Sequence, residues 1–342
     1  MEYHVIAKEK MPDFVATLAR QRKVYAPVSK GNGCYAFEEV SDAKEIAFDY
    51  VPTMLPPKKY FMPQREDVLS FNGRESAAVL GAEQAIIFGV HTCDIAGIQC
   101  LDLVMADDPQ DENYLARKNK LLIVGLECGK YCDDNASCAL MNTAFPSGGY
   151  DLMLTDMGVY YLVHAHTQAG SALVEAAGKL LRHADSKHLA ELDKYREEKR
   201  RKFKPEIPVE AAKLPEIFKK SVASPVWKNL GERCLSCGNC TNVCPTCYCF
   251  DMADSINLDM KSGVRTRIWD SCQTKPFAQV TGGENFRPER SERQRHRYYR
   301  KFSYPLDKYY RFFCTGCGRC TRACMAEINM KQALGELAGG VK

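Results

Sequence analysis

The chain has 342 residues, 45% of them hydrophobic, a formal net charge of +4 and 17 cysteines. That length suits about two domains of ~150 residues each, and the apolar content excludes a disordered chain. The small charge gives no ground for a nucleic-acid or membrane-surface partner. Residues 1–30 contain no apolar leader, and the most apolar run, 121–126, is too short to span a bilayer. So many cysteines without a leader point to thiolates holding metal in a reducing compartment, hence to a cytoplasmic protein suited to an anaerobe.

Residues 1–184 read as a mixed α/β domain. Segments 85–90 (Ala-Ile-Ile-Phe-Gly-Val) and 120–126 (Lys-Leu-Leu-Ile-Val-Gly-Leu) are short, apolar and β-rich, as buried strands are. Between them, Asp94 is placed to cap a helix carrying Ile95, Ile98, Leu101, Leu103 and Val104. Segments 150–154 and 159–163 flank Thr155-Asp156-Met157-Gly158 as a hairpin, and 171–181 has the period of an amphipathic helix. Cys93 lies just past the first strand and Cys128 just past the second, with Cys132 and Cys138 in the following loop. The C-terminal ends of parallel strands converge where ligands bind. Four thiols meeting there suffice for a third cluster, although their x3 and x5 spacings are irregular for a cube. Cys34 and Cys100 lack an evident partner and are expected to be packing residues. The seven histidines form no ligand pattern; His91, beside Cys93, is the one to watch.

From 182 to 204 charged residues dominate, the signature of a solvated, salt-bridged helix. Pro205 and Pro208 punctuate its end. Residues 185–208 are therefore expected to link the first domain to a ferredoxin-type domain at 209–342. The latter carries Cys234-Leu-Ser-Cys237-Gly-Asn-Cys240-Thr-Asn-Val-Cys244-Pro245 and Cys314-Thr-Gly-Cys317-Gly-Arg-Cys320-Thr-Arg-Ala-Cys324. Both have the C-x2-C-x2-C-x3-C spacing of bacterial-type [4Fe–4S] ligation. Three thiolates at x2 spacing reach three corners of one cube, and the fourth is swept on toward a second. One cluster is thus expected on Cys234, Cys237, Cys240 and Cys324, and the other on Cys314, Cys317, Cys320 and Cys244. Zinc usually takes two separated pairs, and disulfides need an oxidising compartment. Residues 245–313 hold the runs much further apart than a minimal ferredoxin needs. The expected fold class is α+β, a mixed α/β domain followed by a mostly helical two-cluster domain.

Cys247, Cys249 and Cys272 fall outside both runs. They are either buried hydrophobes beside the cubes or a further redox or ligand site, C-x-C not being a usual cube spacing. Segment 285–302 mixes arginines with aromatics, a footprint shared with nucleic-acid binders. Glu284, Glu289 and Glu292 interleave there, however, and cations beside a net-negative cube stabilise it. No dinucleotide fingerprint, nucleophile elbow or HExxH run is present; Gly31-Asn-Gly33 and Ser147-Gly148-Gly149 are ordinary turns. No catalytic residue is expected, and no cofactor-binding residue beyond the metal ligands.

Gly89-Val-His-Thr-Cys93-Asp94, Val124-Gly-Leu-Glu-Cys128, Cys244-Pro-Thr-Cys247-Tyr-Cys249-Phe, Trp269-Asp-Ser-Cys272 and Gly283-Glu-Asn-Phe-Arg287 precede Cys314-Thr-Gly-Cys317-Gly-Arg-Cys320. In this order they resemble the iron–sulfur subunit shared by sulfhydrogenases (the β subunit) and anaerobic sulfite reductases (the A subunit), over nearly the whole chain. The resemblance implies a soluble multi-subunit oxidoreductase. In it, this chain would relay electrons between a flavin- and NAD(P)-binding subunit of the ferredoxin-reductase type and a catalytic redox subunit. That catalytic subunit would be a hydrogenase, a sulfite reductase or a heterodisulfide-reductase-like protein. The resemblance also strengthens the third cluster, favouring Cys93, Cys128 and Cys138 over Cys132. Met325 follows Cys324 where proline is usual, and His91-Thr92 replace Arg-Pro or Arg-Ala; neither removes a ligand. Two competing functions are a catalytic reductase acting on a disulfide or sulfur substrate at Cys93, Cys128 and Cys138, and a cluster-bearing regulator using the arginine segment. No nucleic-acid partner and no membrane span are expected.

Overall fold

Two continuous apolar segments set the centre of the fold. In the computed structural model, which describes residues 2–204, 207 and 209–340, they become neighbouring parallel strands. Pro205 and Pro208 lie outside the described residues. In chain order, the N-terminal half forms β1 (Glu2–Ala7), β2 (Lys23–Ser29), β3 (Tyr35–Val40), β4 (Arg65–Asn72) and β5 (Glu75–Ala78). Then come β6 (Ala85–His91), β7 (Leu121–Leu126), β8 (Leu152–Asp156), β9 (Tyr160–Ala165) and β10 (Arg182–His183). Eight of these make one mixed sheet in the order β10-β1-β9-β8-β7-β6-β2-β3. Its middle, β2-β6-β7-β8, is parallel, and β8 and β9 pair as the expected antiparallel hairpin.

Alternation at period two explains why these strands are apolar throughout. Ile86, Phe88, Val124, Leu152 and Leu154 face one core, with Phe14 and Leu18 from the helix Met11–Gln21. Ile87, Val90, Ile123 and Met153 face another, with Ile95, Ile98 and Leu101 from the helix Thr92–Met105. That second helix corrects one expectation. His91 is its N-cap and Asp94 lies inside the first turn, where Arg319, not the helix backbone, takes its carboxylate.

The remaining strands, β11 (Phe250–Ile256) and β12 (Ser262–Trp269), pair with β4 and β5 in a four-stranded antiparallel sheet, β11-β12-β4-β5. This sheet joins sequence-distant halves. It is pinned by Arg267, whose guanidinium reaches Glu66 at 2.6 Å and also engages Asp111. The C-terminal region is otherwise helical. Phe218, Trp227, Leu230, Tyr298, Phe302, Leu334 and Leu337 share a core with Leu140 and Met141 of the N-terminal half. No helix among the described residues is long and apolar enough to cross a membrane.

The charged run forms the helix Ser186–Lys202, capped by Asp185. One side of it is not solvated. Lys199 is buried and donates to Glu127 at 3.0 Å and to the Ala144 carbonyl at 2.7 Å, while Arg196 reaches the same carboxylate at 3.0 Å. Burial works against the Glu127 carboxylate, but these two cations hold its pKa below the usual range. The helix is thereby fixed to the residue next to Cys128.

Candidate iron–sulfur sites

The two cysteine runs fold alike. Each passes through a left-handed residue (Ser236, φ 56°; Gly316, φ 66°) and a left-handed glycine (Gly238, φ 80°; Gly318, φ 75°). Each then turns into a short helix, Asn239–Asn242 or Arg319–Arg322. At Gly316 the requirement is steric as well as conformational, since a Cβ would lie 2.4 Å from the Ser137 carbonyl carbon. Ser137 in turn donates its N–H to the Gly316 carbonyl at 2.7 Å. The second run therefore lies directly on the loop that carries Cys138.

The short helices face each other, with Asn239 donating to the Ala323 carbonyl at 3.4 Å. This brings Cys324 across to the first run. Cys234, Cys237, Cys240 and Cys324 line one cavity of about 20 Å³, with Cys320 also at its wall. Gln294 donates to the Cys234 sulfur at 2.9 Å, and the backbone N–H groups of Ser236 and Ile328 point at Cys234 and Cys324 at 3.3 and 3.4 Å. Donors aimed at sulfur are what a cluster thiolate needs. In the second cradle, burial raises the Cys314 and Cys317 thiols, and the nearby thiolates of Cys320 and Cys244 push them the same way. Cys324 thus stands with Cys234, Cys237 and Cys240, and Cys244 lies within electrostatic reach of Cys314 and Cys317.

No three His, Cys, Asp or Glu side chains among the described residues close around a single metal ion. A cube does not require that, because each thiolate binds a different iron. Converging thiols, of which Cys234 is buried, six are half-buried and Cys237 is exposed, with N–H donors aimed at Cys234 and Cys324, suit such a cluster.

The basic segment forms the helix Arg290–Phe302, and its buried face explains the composition. Arg293, Arg297 and Lys301 recur every fourth residue and turn inward. Arg293 donates to Ser236 of the first run at 3.1 Å. Burial disfavours the Arg297 guanidinium, but the Cys240 and Cys320 thiolates outweigh it and raise its pKa well above the ordinary value. These arginines back the cradles rather than forming a free basic surface.

At the sheet edge, Cys93 is buried, and Cys128 and Cys132 line a cavity of about 700 Å³ at the C-terminal ends of β6, β7 and β8. Cys128 and Cys132 thiols are in contact, and that contact is the main cause of the depressed Cys128 pKa. Cys138 lies within electrostatic reach of Cys128, and Cys93 within reach of both Cys128 and Cys317. His91 lines the same cavity, stacked on Tyr50 with ring centroids 3.9 Å apart. Of the cysteines expected to pack, Cys100 is buried, but Cys34 is exposed on the turn before β3. The absence of apolar neighbours in Gly31-Asn-Gly33 is the signal that distinguishes it. Sequence reasoning missed Gln294 and Lys58, which became visible only when distant segments met.

Residues 233–328 match the 4Fe-4S dicluster domain family. The chain is also similar to sulfhydrogenase 2 subunit beta of Pyrococcus furiosus, with 36% identity over 341 residues and complete coverage of both chains. The chain belongs to the sulfhydrogenase beta-subunit family. Its C-terminal region is a [4Fe–4S] dicluster domain, and the match spans both cradles described above. The match to that relative covers the N-terminal sheet as well as the cradles.

Proposed function

We propose that this chain is the electron-relay subunit of a cytoplasmic, sulfhydrogenase-like complex. It would pass single electrons between a flavin- and NAD(P)-binding subunit and a catalytic redox subunit. Cys234, Cys237, Cys240 and Cys324 hold one [4Fe–4S] cluster, and Cys314, Cys317, Cys320 and Cys244 the next. Cys93, Cys128 and Cys138, with Cys132 beside them, hold a third. The observation that carries this reading is the continuity of the thiols. Cys320 touches the wall of the first cradle, and Cys317 lies within reach of Cys93. A path of thiols therefore leads from the first cradle through the second to the sheet-edge cysteines.

Bound clusters would supply one-electron acceptance at each station. The protein's part is to bury the thiolates, aim N–H donors at them and set cations such as Arg297 beside them. A nicotinamide delivers hydride, a two-electron unit, and this chain has no nicotinamide fingerprint, so a flavin elsewhere must split the pair. Anaerobically purified chain should therefore be bleached by dithionite, and by NAD(P)H only after the flavoprotein partner is added. Direct reduction of a flavin-free preparation by NAD(P)H would contradict the assignment.

A second reading, a reductase acting on a disulfide or sulfur substrate, is favoured by the cavity beside Cys128 and Cys132. The dithionite-reduced chain alone should leave such substrates unchanged on the relay reading and consume them on the other. The third site has its own check. Cys128→Ser in the full chain should lower iron and sulfide by about four each, the content of one cube. Unchanged contents would return these cysteines to a packing role.

A further inference from the structure

Three more cysteines meet outside the sites above. Cys247 and Cys249 follow the first run, and Cys272 follows β12. The Asp270 N–H donates to the Cys249 carbonyl at 3.1 Å, which brings residue 272 alongside. The Cys249 thiol is in contact with those of both Cys247 and Cys272. Cys247 and Cys272 are buried, and all three line a cavity of about 20 Å³ with Lys301 and His296. That volume equals the space inside the Cys234 cradle, about 20 Å³.

The neighbouring cations supply an independent observation. Four other buried cations are matched by carboxylates: Arg319 by Asp94, Lys199 by Glu127, and Arg117 and Arg267 by Glu66, whereas the buried Arg293 and Arg297 back the first cradle. Lys58 and Lys301 are 2% and 8% exposed, yet neither has a carboxylate partner among the described residues. Lys58 donates to the Cys247 carbonyl at 2.9 Å and stands 3.8 Å over the Trp269 ring. Lys301 donates to the Thr246 hydroxyl at 2.7 Å. A buried ammonium needs a counter-charge; the groups these two touch are neutral, and the thiols of Cys247 and Cys249 lie within electrostatic reach of both. Burial depresses the Lys58 pKa, with Cys247 and Cys244 opposing; at Lys301 the thiolates of Cys244, Cys247 and Cys249 outweigh the burial.

We propose that Cys247, Cys249 and Cys272 hold an additional iron–sulfur cluster, charge-balanced by Lys58 and Lys301. Three thiolates leave one iron of a cube without a cysteine, and the imidazole of His296 in the same wall is available to it. The C-x-C spacing, unusual for a cube, is workable because the third thiolate arrives from β12 and not from the same turn of chain. The site adjoins Cys244 through Thr246, whose hydroxyl lies 3.3 Å from the Cys244 sulfur. It therefore forms a side station next to the Cys314 cradle.

Native mass spectrometry of the full chain, loaded and kept anaerobic, counts the clusters. Cys128→Ser removes any sheet-edge cluster, so that variant isolates the question from the reading of the third site. It should retain three cubes, two from the cysteine runs and one here. Adding Cys249→Ser should leave two, with iron and sulfide falling together. Two cubes in Cys128→Ser alone would overturn the proposal. So would a Cys249→Ser single variant with the unsubstituted chain's iron and sulfide, or one that loses iron without sulfide. Should the doubly substituted chain fail to fold, the count in Cys128→Ser still decides.

Discussion

Cys324→Ala is expected to empty the cradle formed by Cys234, Cys237 and Cys240, which lies far from it in sequence, and to spare the cluster of its own run. The cause is geometric. Cys324 follows the short helix Arg319–Arg322 just past its C-cap Ala323 and shares a wall of the first cradle with those three cysteines. Loss of one thiolate should remove about four iron and four sulfide per chain, one cube's content. Cys244→Ala is the reciprocal case and should remove the cluster anchored by Cys314. Spectra of Cys324→Ala that lack the Cys314 cluster, with the Cys234 cluster intact, would contradict the interleaved arrangement.

Arg319→Leu should cost about 3–5 kcal/mol of stability, the range for breaking a buried ion pair by removing one partner. Arg319 is 2% exposed and Asp94 is fully buried, and the guanidinium grips both carboxylate oxygens at 2.5 and 2.7 Å. It also donates to the Thr53 carbonyl at 2.7 Å, so one side chain ties the second cysteine run to the edge of the large sheet. Anaerobic urea unfolding, with cluster content matched between samples, reads the change in midpoint. In the double variant Asp94→Asn/Arg319→Leu much of the loss should return, because no uncompensated charge then stays buried. A single variant within 1 kcal/mol (about one-third of the smallest expected effect) would mean that solvent reaches the pair.

The parts legible in the sequence are those whose signal is local. Residues 85–90 and 120–126 appear as β6 and β7 because strands buried on both faces are apolar throughout. The two cysteine runs carry their conformation within a dozen residues, fixed by Gly238 and Gly318. The parts that escaped depend on distant pairing. β4 and β5 find β11 and β12 only across most of the chain, and the exposed β11 has no alternation to betray it. Asp94 has the residue type of a helix cap, but the tertiary contact with Arg319 overrides the local preference. The arginine segment shows its purpose only at helical spacing, where Arg293, Arg297 and Lys301 fall on the face turned toward the thiols. Lys58 carried no signal at all, because the thiols that balance it lie in another part of the sequence.

Two neighbouring cubes held by exchanged cysteines would make this chain a relay. Low-temperature electron paramagnetic resonance of the full chain, reduced stepwise with dithionite under anaerobic conditions, tests it most directly. Cys320 touches the wall of the first cradle and Cys240 lies within electrostatic reach of it, so the two reduced clusters must be close. A simple [4Fe–4S] signal is expected at partial reduction, broadening and splitting by spin–spin interaction when both clusters hold an electron. Two clusters whose signals add without interaction, or a chain that takes up only one electron, would contradict the relay.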